Sequence, residues 1–260
     1  MSIVRPRRIR APRLVLLAGA AAAFAPHASR PAAAQDAYST GWQFAVTPYA
    51  WLAGIEGRTR VSGLEGNLDT KSGSFLESLD FAGMLTIEAR RGEWALLADF
   101  VYLDLSTDRT SPGPLGSAAT IELKGTVVSA GISRTILGEE SFSLDALAGL
   151  RYIGIRDEIG LQVGGLTRSV SETRDWVDPI IGVRGRIDLG THWFLPYYVD
   201  VGGFGLASDL TWQAAGGVGY RFGFGDARLG YRYLSYDFED GSFVYDIDVA
   251  GPTLGVTFRF

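Results

Sequence analysis

The sequence contains no cysteine, which excludes disulfide staples and thiolate chemistry. Histidine is nearly absent, with His27 and His192 the two present. Basic residues are in deficit. The chain carries 24 Lys+Arg against 29 Asp+Glu. Six of those arginines fall within residues 1–34, which hold no acid, so residues 35–260 keep 18 basic and 29 acidic side chains, a net charge of −11. That balance argues against a nucleic-acid partner, because phosphate contacts need cationic surface. Long apolar runs are missing too. Beyond residue 34 no stretch reaches the ~20 residues of a membrane-spanning helix.

What is present begins with an N-terminus that does not read as fold. Arg5, Arg7, Arg8, Arg10 and Arg13 precede an apolar run from Leu14 to Phe24, and Ala32-Ala33-Ala34 supplies small residues. This is the layout of a secretory signal peptide over 1–34, cleaved before Gln35, with a retained anchor as the alternative. His27 leaves with it. The remaining 35–260 is expected to form one domain.

The strongest periodicity is two. Leu210, Trp212, Ala214, Gly216, Val218, Tyr220 and Phe222 form an apolar face with aromatic ends. Thr211, Gln213, Ala215, Gly217, Gly219 and Arg221 form a small, polar one. In a strand these faces point opposite ways. The pattern recurs over 142–152, 177–189 and 193–202. A soluble sandwich or lipocalin-like barrel also alternates. Two features favour lipid on the apolar side: glycines and paired charges on the other face, and Trp42, Trp94, Phe142, Trp193 and Phe222 gathered at strand ends as in an interfacial girdle.

Ten segments follow: about 42–62, 80–91, 93–108, 117–136, 141–158, 174–190, 192–204, 209–223, 226–239 and 243–260. Tight connectors alternate with longer ones at 63–79, 109–116, 159–173, 205–208 and 240–242. The expected fold is an all-β transmembrane antiparallel up-and-down β-barrel of ten strands, with eight and twelve as alternatives and both termini on the short-turn side. Within 63–79, Phe75, Leu76 and Leu79 have helical spacing, so a short helix or an ordinary packed turn is expected there.

The last strand carries the most specific signal. Leu254, Val256, Phe258 and Phe260 share a face. Thr253, Gly255, Phe258 and Phe260 fill a polar, glycine, hydrophobic, terminal-phenylalanine pattern that looks like the C-terminal assembly signal of outer-membrane barrels. The chain from 35 onward resembles the small outer-membrane β-barrels of Gram-negative bacteria. Trp42-Gln43-Phe44-Ala45-Val46-Thr47-Pro48-Tyr49-Ala50-Trp51, Asp175-Trp176-Val177-Asp178-Pro179 and Tyr231-Arg232-Tyr233 resemble an uncharacterised proteobacterial porin-like family. The resemblance implies residence in outer-membrane lipid, escort by periplasmic chaperones and insertion by the barrel assembly machinery. It brings no catalytic or ligand residues. With Phe260 ending both strand and chain, no peptidoglycan-binding domain is expected after the barrel, and the oligomeric state is open.

Barrel enzymes that hydrolyse proteins or lipids depend on a histidine near the outer rim. His192 is expected at a tight turn on the opposite side. No enzyme activity, cofactor or metal is therefore expected. Loop carboxylates Asp237, Glu239 and Asp240, and Asp175 with Asp178, are the remaining candidates for acid–base work, against a plain reading as solvated turn residues. The better candidate is the interior. By parity, Glu88, Asp99, Asp145, Arg151, Asp178, Arg184, Arg186, Asp188, Asp200, Arg221, Arg228, Arg232 and Arg259 point into it. A ten-stranded barrel is narrow. These charges are read either as an ion-pair network closing the barrel or as the wall of a small pore for polar or anionic solutes.

Overall fold

The computed structural model describes residues 41–61, 64–70, 79–111, 117–163, 166–240 and 243–260. The 1–34 segment and most of the 74–80 stretch expected as helix or turn lie outside them. Every element is a strand: β1 (Gln43–Trp51), β2 (Gly54–Val61), β3 (Leu64–Thr70), β4 (Leu79–Arg91), β5 (Trp94–Ser111), β6 (Ser117–Gly138), β7 (Phe142–Val163), β8 (Leu166–Asp188), β9 (Trp193–Gly203), β10 (Leu210–Phe222), β11 (Gly225–Asp240) and β12 (Phe243–Arg259).

These twelve elements build ten staves. From β4 to β12 each strand pairs antiparallel with the next, and β1 pairs with both β4 and β12, closing the sheet. β1 and β2 are one stave with a short break. Both pair with β12 in a single register, from Ala45↔Arg259 through Trp51↔Thr253 to Gly54↔Ala250 and Arg60↔Val244. β3 folds back on β2 as a hairpin above the closed part. The ends of the closure are joined by Phe44 N to Phe260 O at 3.2 Å and Phe260 N to Phe44 O at 2.9 Å. A closed sheet leaves no unpaired edge, the condition for a sheet to sit in lipid.

Tight connectors gather at one end. At the first of them Arg91 pairs with Trp94, and Gly92 takes φ +58°, a left-handed conformation that glycine adopts without a Cβ penalty.

The outward face over this end of the barrel is apolar. Leu96, Phe100, Ile132, Leu150, Val177, Ile181, Val183, Val199, Leu229 and Leu254 are exposed there. Trp42, Trp94, Trp193 and Phe222 stand exposed beside the tight turns, with Arg91 over the Trp42 ring at 5.9 Å and Arg134 over Trp94 at 5.5 Å. On β10, Trp212, stacked on Tyr233 at 4.6 Å, marks the other boundary. Ten residue steps lead from Trp212 to Phe222. At about 3.3 Å per residue and a tilt of about 40°, that rises about 25 Å, the height of a membrane barrel's apolar band. The outer surface is that of a membrane barrel.

The strands continue well past this band. β6, β7 and β8 run 22, 22 and 23 residues, about twice what a bilayer needs. The expectation of a connector over 159–173 is corrected: β7 and β8 stay paired to Val163↔Leu166. Likewise 64–70 is strand rather than connector. Past the band the two faces exchange chemistry. Ile153 and Ile155 turn inward and are buried, while Arg156 beside them on β7 is exposed. An apolar cluster fills the interior at this height: Trp51, Met84, Val101, Leu103, Ile153, Ile155, Trp176, Leu234, Tyr236, Phe238, Tyr245, Ile247 and Val249. Inside lipid the apolar face must point out. In water it must point in. Over its described side chains, β7 satisfies both along its length.

Candidate functional site

The interior facing the tight turns is polar and partly hollow. A cavity of about 920 Å³ extends from Glu139, Glu140 and Phe260 at the turn end to Tyr49, Asp99, Arg232 and Gln213. Among the described residues, Tyr49 is common to its lining and to the apolar cluster; the cluster lies beyond it.

Three groups of ion pairs surround the hollow near its mouth. Arg90 bridges Glu88 Oε1 at 3.0 Å and Asp145 Oδ2 at 2.5 Å. Arg184 bridges the same two carboxylates at 2.9 and 3.3 Å, and Thr135 Oγ1 donates to Asp145 at 2.7 Å. Asp188 pairs with Arg221 and, at 3.4 Å, with Arg186. Asp226 accepts from both terminal nitrogens of Arg259, one at 2.9 Å, and lies 3.8 Å from Arg228.

Deeper in, two clusters cross the barrel. Arg151, fully buried, meets fully buried Asp200 at 2.5 Å and also donates to Ser129 Oγ at 3.2 Å and Thr211 Oγ1 at 3.1 Å. Asp99 accepts from Tyr49 at 2.8 Å, Thr86 at 2.9 Å and Arg232 at 2.9 Å. Arg232 donates to Gln213 Oε1 at 2.7 and 3.1 Å and lies over the Trp51 ring at 4.8 Å. That last contact is where the charged layer ends and the apolar layer starts. Buried charge is tolerable only when it is paired and its remaining hydrogen-bonding groups are met; the first cluster joins four staves and the second five, every charge in them is paired, and Asp200 Oδ1 is left without a hydrogen-bond partner.

Asp178 takes its hydrogen bonds from neutral donors. It accepts from Trp176 Nε1 at 3.1 Å, from Ser208 N at 2.9 Å and from Ser208 Oγ. Ser208 belongs to the β9–β10 loop, so Asp178 anchors that loop to the barrel wall. Phe204 there takes φ +54°. Asp175 is exposed and does not join Asp178. Asp237 and Glu239 lie within β11, rather than in a loop, and on the outward parity. Burial and the neighbouring Asp246, Asp209 and Glu239 push the Asp237 carboxyl above its ordinary range. Among the described residues no group of His, Asp and Glu is arranged to hold a metal. His192 is exposed at its turn, stacked on Tyr220 at 5.4 Å, and is outside the cavity lining.

Parity reasoning passed over Arg90 and Asp226. Each shares the parity of a residue it did include, Glu88 and Arg228, so the signal was in the sequence. Tyr49, Thr86 and Ser129 complete the clusters together with Thr211 and Gln213 from the polar face of β10; as neutral residues they carry no charge pattern to flag them.

Comparison with known proteins returns no family model and no curated protein that matches the chain. Solved structures do match in form. The Ail attachment invasion locus protein of Yersinia pestis is 14% identical, with TM-score 0.38, covering 85% of this chain and 100% of its own. The translocator domain of the autotransporter NalP from Neisseria meningitidis is 13% identical, with TM-score 0.43, covering 88% and 92%. The P. putida toluene transporter TodX is 12% identical, with TM-score 0.35, covering 89% and 92%. All three are outer-membrane β-barrels.

Proposed function

We propose that this protein is a closed, non-enzymatic barrel of the bacterial outer membrane, acting as a structural or surface-interaction element rather than as a conduit. One observation carries the reading: the apolar cluster around Trp176, Ile153 and Leu234 fills the interior beyond the charged layer, so the hollow that opens among the tight turns ends against packed side chains. Water and ions cross an apolar, close-packed layer poorly. The long strands that rise beyond the apolar band then form a wall above the membrane, with Glu56, Arg58, Arg156 and Glu239 exposed on it.

Export through a cleaved 1–34 signal, insertion guided by Thr253, Gly255, Phe258 and Phe260, and contact with periplasmic chaperones and the assembly machinery belong to the same proposal. It is supported by the outward, exposed position of Phe258 on the closing strand and by Phe260, exposed at the turn end where it bonds Phe44. A passive pore for polar or anionic solutes is the second reading, and the 920 Å³ hollow is what favours it. A rim enzyme has less support, since Asp175 and Asp178 are separated by exposure and Asp237 and Glu239 lie on a strand's outer face.

Planar-bilayer recording of the refolded protein separates the first two. The closed barrel gives no conductance steps. Discrete steps at single-molecule dilution would overturn it in favour of the pore.

A further inference from the structure

We infer that the upper edge of β8 is a docking site for an extended segment of a partner protein, which adds to it as an antiparallel strand. The inference deepens the surface-interaction reading of the barrel and rests on that reading for its role, not on a closed lumen.

The two sides of β8 are paired unequally. On one side β7 follows it without a register shift from Phe142↔Ile187 to Val163↔Leu166. On the other, β9 follows it only from Asp188↔Phe194 to Ile180↔Gly202. There β9 is turned away. Gly203, Phe204 and Gly205 in succession take φ +85°, +54° and +69°, and Asp178 holds the loop down through Ser208. Among the described residues no strand lies beside Leu166–Pro179 on that side.

The direction of the free main-chain groups follows from the ladder. The amide of Asp188 donates to Ser141 O on the β7 side at 2.7 Å, and that of Leu189 to Trp193 O on the β9 side at 2.8 Å. In an antiparallel strand the N–H and C=O of one residue point the same way, and successive residues alternate. Even-numbered residues of β8 thus face β7. Thr167, Ser169, Ser171, Thr173, Asp175 and Val177 direct their N–H and C=O at the open side, and Pro179, which has no N–H, stands at the rung where β9 leaves. The row is about 33 Å long at about 3.3 Å per residue. Exposed edges are commonly kept short, bulged or covered. This one is long and free of register shifts, and Trp176, stacked on Phe238 at 4.3 Å, backs it from within. It also rises clear of the apolar band: beyond Val177, residues Ser171, Thr173, Arg174 and Asp175 are exposed on both faces of the sheet.

A row of alternating donors and acceptors is matched by another extended main chain. A second copy in the same membrane does not supply one. Its symmetry axis would lie along the membrane normal, so both copies of β8 would run the same way, and a tilt of about 40° in each would make the edges cross at about 80°. The occupant is therefore a segment of a different polypeptide, free of proline, with a basic residue opposite Asp175.

The probe is an acetylated heptapeptide amide that alternates threonine and valine around a central lysine. It is titrated into the full chain refolded in neutral detergent, and amide hydrogen exchange over 167–177 is read by mass spectrometry. Saturable protection is expected, with exchange slowed at least tenfold. The same peptide N-methylated throughout keeps its side chains and loses its donors, and should bind at least tenfold more weakly. Thr173→Pro and Asp175→Pro remove N–H groups on the open side while leaving the β7 ladder, and should weaken binding as much. Arg134→Gln, at the turn end beside Glu93, should not. If a proline variant fails to fold, the methylated peptide still decides the matter on the unaltered chain. Absence of saturable protection, equal binding of the methylated peptide, or equal binding by a folded Asp175→Pro would each overturn the inference. A dimer in detergent that Asp175→Pro dissociates, seen by sedimentation, would overturn it too, since the edge would then belong to a second copy. Bilayer conductance reads the lumen separately, so failure of this inference and failure of the closed-barrel reading are distinguishable.

Discussion

Replacing Asp200 with alanine tests whether the buried charges stabilise the barrel through pairing. Asp200 and Arg151 are both fully buried and 2.5 Å apart. Removing one partner of such a pair costs about 3–5 kcal/mol, because the other charge is left in a low-dielectric interior. Arg151 keeps Ser129 and Thr211, neutral acceptors that offset little of that cost. With a urea slope of about 2 kcal/mol/M, the midpoint of Asp200→Ala falls by roughly 2 M. Arg151→Met alone strands Asp200 and shifts the midpoint by a similar amount. The double variant removes both charges, and should be less destabilised than the sum by at least about 2 kcal/mol. Tryptophan fluorescence during urea titration of protein refolded in lipid vesicles reads all four members of the cycle. Additive losses would refute the reasoning, since the two residues would then act independently.

Trp176→Ala removes a ring stacked on Phe238 at 4.3 Å and set edge-on to Tyr236, and should cost about 3–5 kcal/mol in the same titration. Ser208→Ala takes a donor from the buried Asp178 carboxylate and should cost about 1–3 kcal/mol while raising protease cleavage within 204–209, seen by mass spectrometry of digests. Gly219→Ala should force the Phe194 ring aside and lower the urea midpoint, whereas alanine at exposed Gly223, which meets nothing within 4 Å, should not. The raised Asp237 carboxyl carries a sign. Its folded form is penalised when ionised, so stability is lowest above the folded pKa and is regained as the pH falls through it toward the unfolded value. Asp237→Asn should flatten that part of the stability–pH profile, and an unchanged profile would count against the acidic cluster.

The closed fold was legible because the membrane imposes one alternation on every stave. Leu210 to Phe222 and Phe142 to Tyr152 each carry a complete apolar face, and β10 and β7 occupy those ranges. Legibility stopped where lipid stops. From Ile153 onward the apolar residues sit on the opposite parity, and a reader tracking the outward face sees the pattern end. The strand has in fact gone on with its faces exchanged, so 159–173 read as a connector. The pairing of β2 with β3 was hidden for a related reason: Gly, Glu, Asn and Asp in 64–70 mark turns in sequence, and only register with β2 overrides that preference.

The same exchange explains which parts of the interior sequence reasoning reached. Charges are conspicuous on a face of glycines and small residues, so Arg151, Asp200 and Arg232 stand out by parity. The packed layer beyond them is built from Trp51, Ile153, Leu234 and Tyr245, residues ordinary in any strand, and nothing in a local window says that they meet. They come together only because closure brings β1, β7, β11 and β12 around one axis. That layer, more than the ion pairs, is what argues for a closed barrel. Paired charges can line a water path, as they do around the hollow below Arg232. A stack of Trp176 on Phe238, with Ile247 and Leu234 beside it, offers water few polar partners. The interior thus reads as two layers: a charged one around the hollow, and an apolar one beyond Arg232 that on the closed-barrel reading ends it.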